Sequence, residues 1–352
     1  MKLGLSLGYS GANMTLPVDT VRRAEQLGYD SVWTAEAYGS DAYSPLAYLA
    51  AVTDRIRLGT GVIQLAARTP ANAAMTAATI DALAGGDRVI VGVGVSGPQI
   101  VEGWYGQPWG RPNPRIRDYV AIMRKIFARE EPVTHDGKEI ALPYTGPGSA
   151  GLAKPLRSIL HMNPNIPIWL GTGTEANVKM TAEVADGWLP LGLTPFNADL
   201  FTPWIEEGFR RHEAKTGQAK SWSDFEVQAS VNVELTTDIR DAFRKMKPNV
   251  ALYVGGMGHR TLNFHKMSMI RRGYGEAAER IQELYLAGRK AEAIEEVPEE
   301  FLDEQALIGP PARVRERYQA WADSYISGLT VRADQEDAIE LMAELAMESA
   351  GV

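Results

Sequence analysis

The sequence of 352 residues contains no cysteine. This absence excludes disulfide bonds, thiolate nucleophiles and metal or iron–sulfur sites built on cysteine. Histidine is scarce, and the five histidines show no HxH or HExxH spacing, so we expect no metal site. Serine-nucleophile motifs such as GxSxG are also missing. This composition favours chemistry that a bound organic cofactor supplies.

Long apolar runs and excess positive charge are missing as well. No stretch approaches the roughly 18 apolar residues of a membrane span, and the first residues, MKLGLSLGYS, do not resemble a signal peptide. A net charge of −8 argues against nucleic acids and anionic membranes as partners. We therefore expect a cytoplasmic protein that acts on a small-molecule substrate.

The sequence does contain short apolar runs that alternate with helical patterns. Eight strands are predicted, at Lys2–Tyr9, Asp30–Glu36, Ile56–Gln64, Arg88–Gly94, Pro167–Gly173, Gly187–Gly192, Phe225–Leu235 and Gly328–Arg332. This number favours a closed (β/α)8 TIM barrel of class α/β, a single domain over residues 1–352, with an open doubly wound sheet as the alternative. Insertions are predicted near 130–166, with a hairpin turn at Asp136-Gly137, and near 246–307, which looks helical.

Polar residues at the carboxyl ends of barrel strands are candidates for the active site. Glu36 ends the second predicted strand. Its carboxylate could act as an acid or base or bind a ligand, but it could equally be the structural partner of a nearby arginine. Tyr38 and Tyr43 follow, and their rings could stack on a planar ligand or simply pack.

Glycines mark three other strand ends. Gly59 and Gly61 in the third strand indicate a bulge against a flat ligand, or else close packing inside the barrel. The fourth strand ends in GVGVSG, with Asp118 downstream, which matches a dinucleotide motif. That interpretation fails because Pro98 and the prolines after it interrupt the helix that the motif requires. The fifth strand ends in GTGTE at 171–175, where a phosphate site is favoured over a capping box of Thr172 with Glu175.

Three segments resemble the luciferase-like flavin and deazaflavin enzymes: EQLGYDSVWTAEAY, IRLGTGVIQLAARTPANAAMTAATIDALAGGDRVIVGVG and PIWLGTGTEANVKMTAEVADGWLP. The resemblance covers strands one to six and, more weakly, the C-terminal IGPPARVRERYQAWADSYISGLTVR. It implies a barrel oxidoreductase with a non-prolyl cis peptide at Gly61-Val62 that backs the cofactor ring. The cofactor contacts that it implies are Thr60, Gly61, Val62, Gln64, Gly94, Gly171, Thr172, Gly173 and Thr174.

The resemblance also implies a catalytic role for Glu36, with two departures from the family pattern. Some relatives have a histidine after this acid, where Ala37 stands, and some have a ring-contacting asparagine about where Val101 stands. The segments GTGVIQLAARTPA and GGMG at 255–258 look more like deazaflavin members than like bacterial luciferases. The resemblance therefore favours the deazaflavin F420 over FMN. Candidates to bind its polyglutamate tail are Arg68, Arg111, Arg115 and Arg157.

We expect hydride transfer between F420 and a small organic substrate, with Glu36 as the proton donor or acceptor. Tyr38 and Tyr43 are the alternatives for that proton. Two other functions stay open: an FMN-dependent monooxygenase fed by a separate reductase, and a non-catalytic cofactor-binding barrel. The resemblance also implies a homo-oligomer, a dimer or larger.

Overall fold

A computed structural model describes residues 1–257, 260 and 262–351. The strands of the described residues are β1 (Lys2–Gly8), β2 (Ser31–Thr34), β3 (Arg57–Thr60), β4 (Ile63–Gln64), β5 (Val89–Gly94), β6 (His135–Asp136), β7 (Ala141–Leu142), β8 (Ile168–Thr172), β9 (Gly187–Pro190), β10 (Glu226–Leu235), β11 (Ala306–Gly309) and β12 (Gly328–Arg332). The α-helices are α1 (Val18–Gln26), α2 (Tyr43–Ala50), α3 (Pro70–Leu83), α4 (Pro98–Gly103), α5 (Pro112–Ala128), α6 (Glu175–Val184), α7 (Ala198–Thr216), α8 (Ile239–Ala251), α9 (Phe264–Arg271), α10 (Gly275–Leu286), α11 (Lys290–Glu295), α12 (Glu299–Asp303), α13 (Pro311–Ala322) and α14 (Glu336–Ala350).

Eight parallel strands close into a barrel in the order β1, β2, β3, β5, β8, β9, β10 and β12. The barrel closes on one side where β12 pairs with β1, and on the other where Glu226 and Val227 of β10 pair with Gly187 and Trp188 of β9. The predicted (β/α)8 TIM barrel is therefore confirmed and the open sheet is wrong. An active site is expected at the carboxyl ends of these strands.

The third predicted strand and the second insertion differ from the sequence prediction. The third strand is divided into β3 and β4, which both pair with β5. The second insertion is helical as predicted, but it also contains β11, which pairs with the end of β10 from Asn232 onward. Four apolar residues between helices give no period that separates a strand from a helix. Gly258 and His259 lie outside the described residues.

Two buried tryptophans fill part of the barrel interior. The rings of Trp33 and Trp169 lie 5.2 Å apart, and both indoles are buried. A Cβ atom on Gly59 would lie 2.5 Å from Trp33 Cζ3, and one on Gly187 would lie 2.6 Å from Trp169 Cδ2. Gly59 is therefore a packing glycine, the alternative that the sequence left open for it.

The first insertion contains the predicted hairpin, formed by β6 and β7. Asp118 on α5 holds it: the carboxylate pairs with His135 Nε2 at 3.1 Å and accepts the backbone N–H groups of Glu139 and Ile140. Asp118 thus has a structural role here, in agreement with the rejection of the dinucleotide motif. The second insertion has its own hydrophobic cluster, which includes Met269 and Ile281. That residues 1–352 form one domain stays a prediction.

A buried carboxylate joins three helices of the outer layer. Glu183 on α6 accepts hydrogen bonds from Arg117 on α5, at 2.6 and 2.7 Å, and from Lys215 on α7. Burial by itself raises the pKa of Glu183, but these two cations outweigh it and lower the pKa to about 2. The carboxylate stays ionised and holds α5, α6 and α7 together.

Candidate active site

The divided third strand forms a bulge at the mouth of the barrel. Gly59 is paired with Ile90 and Ile63 with Val93, so three residues of the third strand face only two of β5. The hydroxyl of Thr60 donates to the carbonyl of Gly92 at 2.9 Å and accepts its N–H at 2.8 Å. Thr60 therefore stabilises the bulge with its side chain. The Gly61-Val62 peptide is cis, as the resemblance implied, and Gly61 is exposed at the mouth.

Glycines on two neighbouring strands make room for the side chain of Val62. A Cβ atom on Gly94 would lie 2.5 Å from Val62 Cγ2, and one on Gly171 would lie 2.9 Å from Val62 Cγ1. The structure thus brings four of the predicted cofactor contacts, Gly61, Val62, Gly94 and Gly171, together at one place. That these residues contact a cofactor stays a prediction.

Gln64, just after the bulge, holds an acceptor that lacks a donor. Its side-chain amide donates to the backbone carbonyl of Glu36 at 2.9 Å. Its Oε1 atom is buried and has no hydrogen-bond partner among the described residues. A buried acceptor without a donor is costly, and the ring N–H of a deazaflavin or flavin is a donor of the required kind. This orphaned oxygen fits a cofactor ring beside the bulge.

Glu36 is buried and fully engaged with its neighbours. One oxygen accepts the N–H of Gln64 at 2.9 Å and Arg68 Nη1 at 2.5 Å, and the other accepts the N–H of Ala42 at 3.2 Å. The sequence left open whether Glu36 is the structural partner of a nearby arginine, and in the structure Arg68 is that partner. These hydrogen bonds tie the end of β2 to the bulge. Proton transfer by Glu36 stays a prediction.

Arg68, one of the candidates for the cofactor tail, lies inside this network. Its guanidinium is 3.6 Å from Asp41 and 5.2 Å from the centre of the Tyr43 ring. Tyr43 is buried, donates to the carbonyl of Ala73 at 3.3 Å, and has a pKa that burial raises well above its usual value. Tyr43 therefore packs in the interior of the protein, whereas Tyr38 is exposed.

Of the other three arginines, Arg111 immediately precedes α5, Arg115 lies in the first turn of α5, and Arg157 lies in the first insertion. Arg111 pairs with Glu139 at 2.6 Å, Arg115 donates to the carbonyl of Pro108 at 3.0 Å, and Arg157 reaches the carbonyl of Glu130 at 3.4 Å. A small cleft near the bulge is lined by Leu65, Ala66, Val95, Val101, Trp109, Pro112 and Arg115. Arg115 and the buried Val101 therefore lie together, next to the residues that follow the bulge.

The turn after β8 has an open helix N-terminus. The capping box, which was the alternative to the favoured phosphate site, does not form, because β8 continues through Thr172 and α6 begins only at Glu175. The Thr172 hydroxyl instead pairs with Thr181 at 2.8 Å, and Glu175 pairs with Lys179 at 2.5 Å. In the described part of the chain, no group accepts the first N–H groups of α6. These groups and the Thr174 hydroxyl can bind an anion such as a phosphate.

The opposite rim of the mouth carries residues that sequence reasoning missed. The hydroxyls of Tyr9 and Tyr253 lie 3.5 Å apart, and Arg332 ends β12 nearby. Tyr9 and Arg332 end the first and eighth predicted strands, just as Glu36 ends the second. Their positions at the carboxyl ends of strands could therefore have marked them as candidate site residues. Tyr253 lies in the second insertion and gave no such signal.

Metal and membrane features are lacking from residues 1–257, 260 and 262–351. No three acidic or histidine side chains gather there as metal ligands would. No helix in these ranges is both long and apolar enough to cross a lipid bilayer.

Known proteins share this architecture. A Mycobacterium tuberculosis protein, provisionally named a coenzyme F420-dependent oxidoreductase, is 45% identical over 98% of this chain and 99% of its own. The structure of the coenzyme F420-dependent tetrahydromethanopterin reductase from Methanopyrus kandleri matches with a TM-score of 0.76 at 24% identity, over 97% of both chains. An F420-dependent secondary alcohol dehydrogenase, solved with an F420–acetone adduct, matches with a TM-score of 0.75 at 15% identity, over 98% of this chain and 97% of its own.

The two solved structures support the fold alone, since their sequences are distant. The sequence model of the luciferase-like monooxygenase family, in contrast, matches residues 4–328 of this chain. That range runs from β1 to the first residue of β12 and includes the bulge, the glycines around Val62 and the turn before α6. The chain belongs to the luciferase-like monooxygenase family.

Proposed function

We propose that this protein is an F420-dependent oxidoreductase that transfers a hydride between the deazaflavin and a small organic substrate. The observation that carries the proposal is the 45% identity, over almost the whole of both chains, to a relative provisionally named for this cofactor. The site fits the same group. The bulge, the orphaned Gln64 acceptor and the open N-terminus of α6 provide a ring contact, a hydrogen-bond acceptor and an anion site.

Each part of the site has its own task in this proposal. Gly61 and Val62 back the ring, and Gln64 Oε1 accepts a ring N–H. Thr174 and the N–H groups of α6 bind the phosphate, together with the backbone of Gly173 and Thr172. Thr60, Glu36 and Gly94 act on the bulge: the first two hold it by hydrogen bonds, and the small size of Gly94 admits Val62.

The bound deazaflavin supplies a carbon that donates or accepts a hydride. The protein's part is to hold the substrate at near-attack distance, exclude water and supply or receive a proton. From the sequence, Glu36 is the residue expected to move that proton, but in the structure its carboxylate is engaged in holding the bulge. We further propose that the protein works in the cytoplasm as a homo-oligomer.

Parallel titration of the purified protein with F420 and with FMN, followed by calorimetry, tests the cofactor assignment. We expect F420 to bind much more tightly than FMN. Replacing Thr174 by Val should weaken F420 binding severalfold, because a phosphate contact is lost. The matched control Thr216→Val, at the exposed end of α7, should leave binding unchanged. Tight binding of FMN without binding of F420 would make the protein a flavin enzyme instead.

A further inference from the structure

The inner surface of the barrel is polar along β10 and β12. On β10, Ala229 and Val231 belong to the core between barrel and helices, so Ser230 and Asn232 face the interior. Ser230 is exposed to solvent although it lies in the middle of a strand of ten residues. The mouth of the barrel is therefore open to solvent down to Ser230 on this side.

The strand register places these groups next to those of β12. Ser230 is paired with Thr330, and Asn232 with Arg332. Thr330 and Arg332 share one face of β12, since they are two residues apart and the intervening Val331 lies in the outer core. We call Ser230, Asn232, Thr330 and Arg332 the polar wall. It faces the bulge across the mouth, because β10 is the seventh barrel strand and β3 the third.

Two tyrosine hydroxyls stand at the rim of this wall. Tyr9 and Tyr253 are 3.5 Å apart, close to the limit of a direct hydrogen bond, so a bound ligand can replace this weak contact and accept the proton of each hydroxyl. Tyr253 lies in the π-helical turn Leu252–Gly256, where Asn263 donates to its backbone carbonyl at 3.0 Å. The ring of His265 packs against its ring at 4.6 Å. The hydrogen bond with Tyr253, and then burial, raise the pKa of Tyr9 to about 12, so it keeps its proton at neutral pH.

The charge of Arg332 is available to a ligand. No carboxylate or carbonyl pairs with it in the described residues. Arg332 is also close enough to Tyr9 for its positive charge to lower the pKa of that hydroxyl, against the larger effects that raise it. The nearest acid on the inner face of β10, Glu234, lies 3.8 Å from Lys245 Nζ, so a cation already faces it. An uncompensated arginine beside two phenolic donors forms a site for an oxygen that carries or develops negative charge.

We propose that the polar wall and the two rim tyrosines bind the substrate's oxygen, and that the substrate is a carbonyl compound. This inference rests on the proposed F420 chemistry. The substrate carbon gains a C–H bond from a hydride of the reduced deazaflavin, and the displaced π electrons move onto the oxygen. The O–H bond of Tyr9 breaks, its proton goes to that oxygen, and water returns a proton to Tyr9. Arg332 and Tyr253 stabilise the oxygen's charge during this step.

The test uses 4-nitrophenol, whose anion mimics the charged oxygen and is coloured. The cofactor-free protein is titrated at a pH below the probe's own pKa, so that a site for oxyanions turns the solution yellow; calorimetry repeats the titration with oxidised F420 bound. We expect Arg332→Gln, Tyr9→Phe and Tyr253→Phe each to weaken binding about 10- to 100-fold. Two exposed controls, Arg240→Gln on α8 and Tyr48→Phe on α2, should leave binding unchanged.

Three results would overturn this inference: no binding of the probe, binding only of its neutral form, or equal binding by wild type and the rim variants. Melting temperatures of all variants check that each is folded. The outcome for the proposed function can be distinguished from the outcome for this inference. If F420 does not bind but the rim variants still lose the probe, the oxygen site stands without the cofactor assignment. If F420 binds and the probe does not, only the oxygen site falls.

Discussion

The ion pair between Glu36 and Arg68 allows the most direct test of how the site works. Sequence reasoning predicts that Glu36 moves a proton. In the structure, its carboxylate binds Arg68 and the backbone N–H of Gln64, which suggests that it positions the bulge. Glu36→Gln keeps one acceptor oxygen and removes the charge. Arg68→Met keeps an unbranched side chain that reaches as far as the arginine Nε atom, and it removes the charge and the donors.

The structure sets the size of the expected effects. Glu36→Gln loses one charge-assisted hydrogen bond, worth about 1.5–3 kcal/mol, and turns an amide N–H₂ toward a donor, either Arg68 or Ala42. Arg68 keeps Asp41 at 3.6 Å, which limits the loss. We expect the free energy of unfolding to fall by about 3 kcal/mol. For 352 residues this corresponds to a melting temperature lower by roughly 4 °C.

Cofactor affinity and the hydride-transfer rate separate positioning from proton transfer. If Glu36 positions the bulge, Glu36→Gln and Arg68→Met should weaken F420 binding by about tenfold each, and the double variant by little more. The pH profile of hydride transfer should then keep its shape. Fluorescence titration measures the affinity, and single-turnover kinetics measures the rate. Glu207→Gln, in a half-exposed surface pair with Arg211, is the control and should change neither quantity.

The opposite pattern would refute the positioning role. A catalytic acid or base is worth about 10²- to 10⁴-fold in rate. If Glu36→Gln lowers the rate by that amount, removes one limb of the pH profile and leaves the F420 affinity intact, Glu36 transfers the proton. Arg68→Met would then perturb the pH limb without weakening binding.

Three further predictions follow from close contacts and charge. Gly94→Ala places a methyl group 2.5 Å from Val62 Cγ2, so F420 affinity should fall, and adding Val62→Ala should restore it in a fluorescence titration. Gly59→Ala meets the buried indole of Trp33, and overpacking should lower the free energy of unfolding in urea by about 1–3 kcal/mol; no change would contradict the packing role. The pKa of Glu183 is held at about 2 against the effect of burial, so its stabilisation is complete above pH 4.5 and is lost as the pH falls toward 2. Glu183→Gln should therefore be less stable than wild type at pH 7, and this difference should shrink on acidification.

The barrel could be predicted from the sequence because its strands follow local rules. Val89–Gly94 is a continuous apolar run, and all of its residues are buried in the structure, as in a parallel strand covered on both sides. The end of the second insertion could not be predicted in this way. Ala306–Gly309 becomes a strand because it pairs with β10, from which some 70 residues separate it. A pairing over such a distance leaves no local pattern.

The two glycines of the third strand show the same limit within the site. Gly59 and Gly61 are two residues apart and looked alike in the sequence. Gly59 is needed because Trp33, on the adjacent strand, lies across it. Gly61 is exposed and belongs to the cis peptide at the mouth. Which neighbour a glycine meets depends on the tertiary packing, so only the resemblance to a family could assign Gly61.

Two features of the mouth indicate where the proton donor lies: Ala37 stands where some relatives have a histidine, and the polar wall lies on β10 and β12. The end of β2 is occupied by internal contacts: Glu36 binds Arg68, and the carbonyl of Ala37 accepts the Tyr105 hydroxyl at 3.2 Å. No histidine follows the acid, so this edge lacks the side chain that most often exchanges a proton near neutral pH. On the adjacent strands β1 and β12, Tyr9 keeps its proton, and no carboxylate among the described residues pairs with Arg332. The proton donor should therefore lie on the side of β1 and β12, while β2 holds the bulge that backs the cofactor.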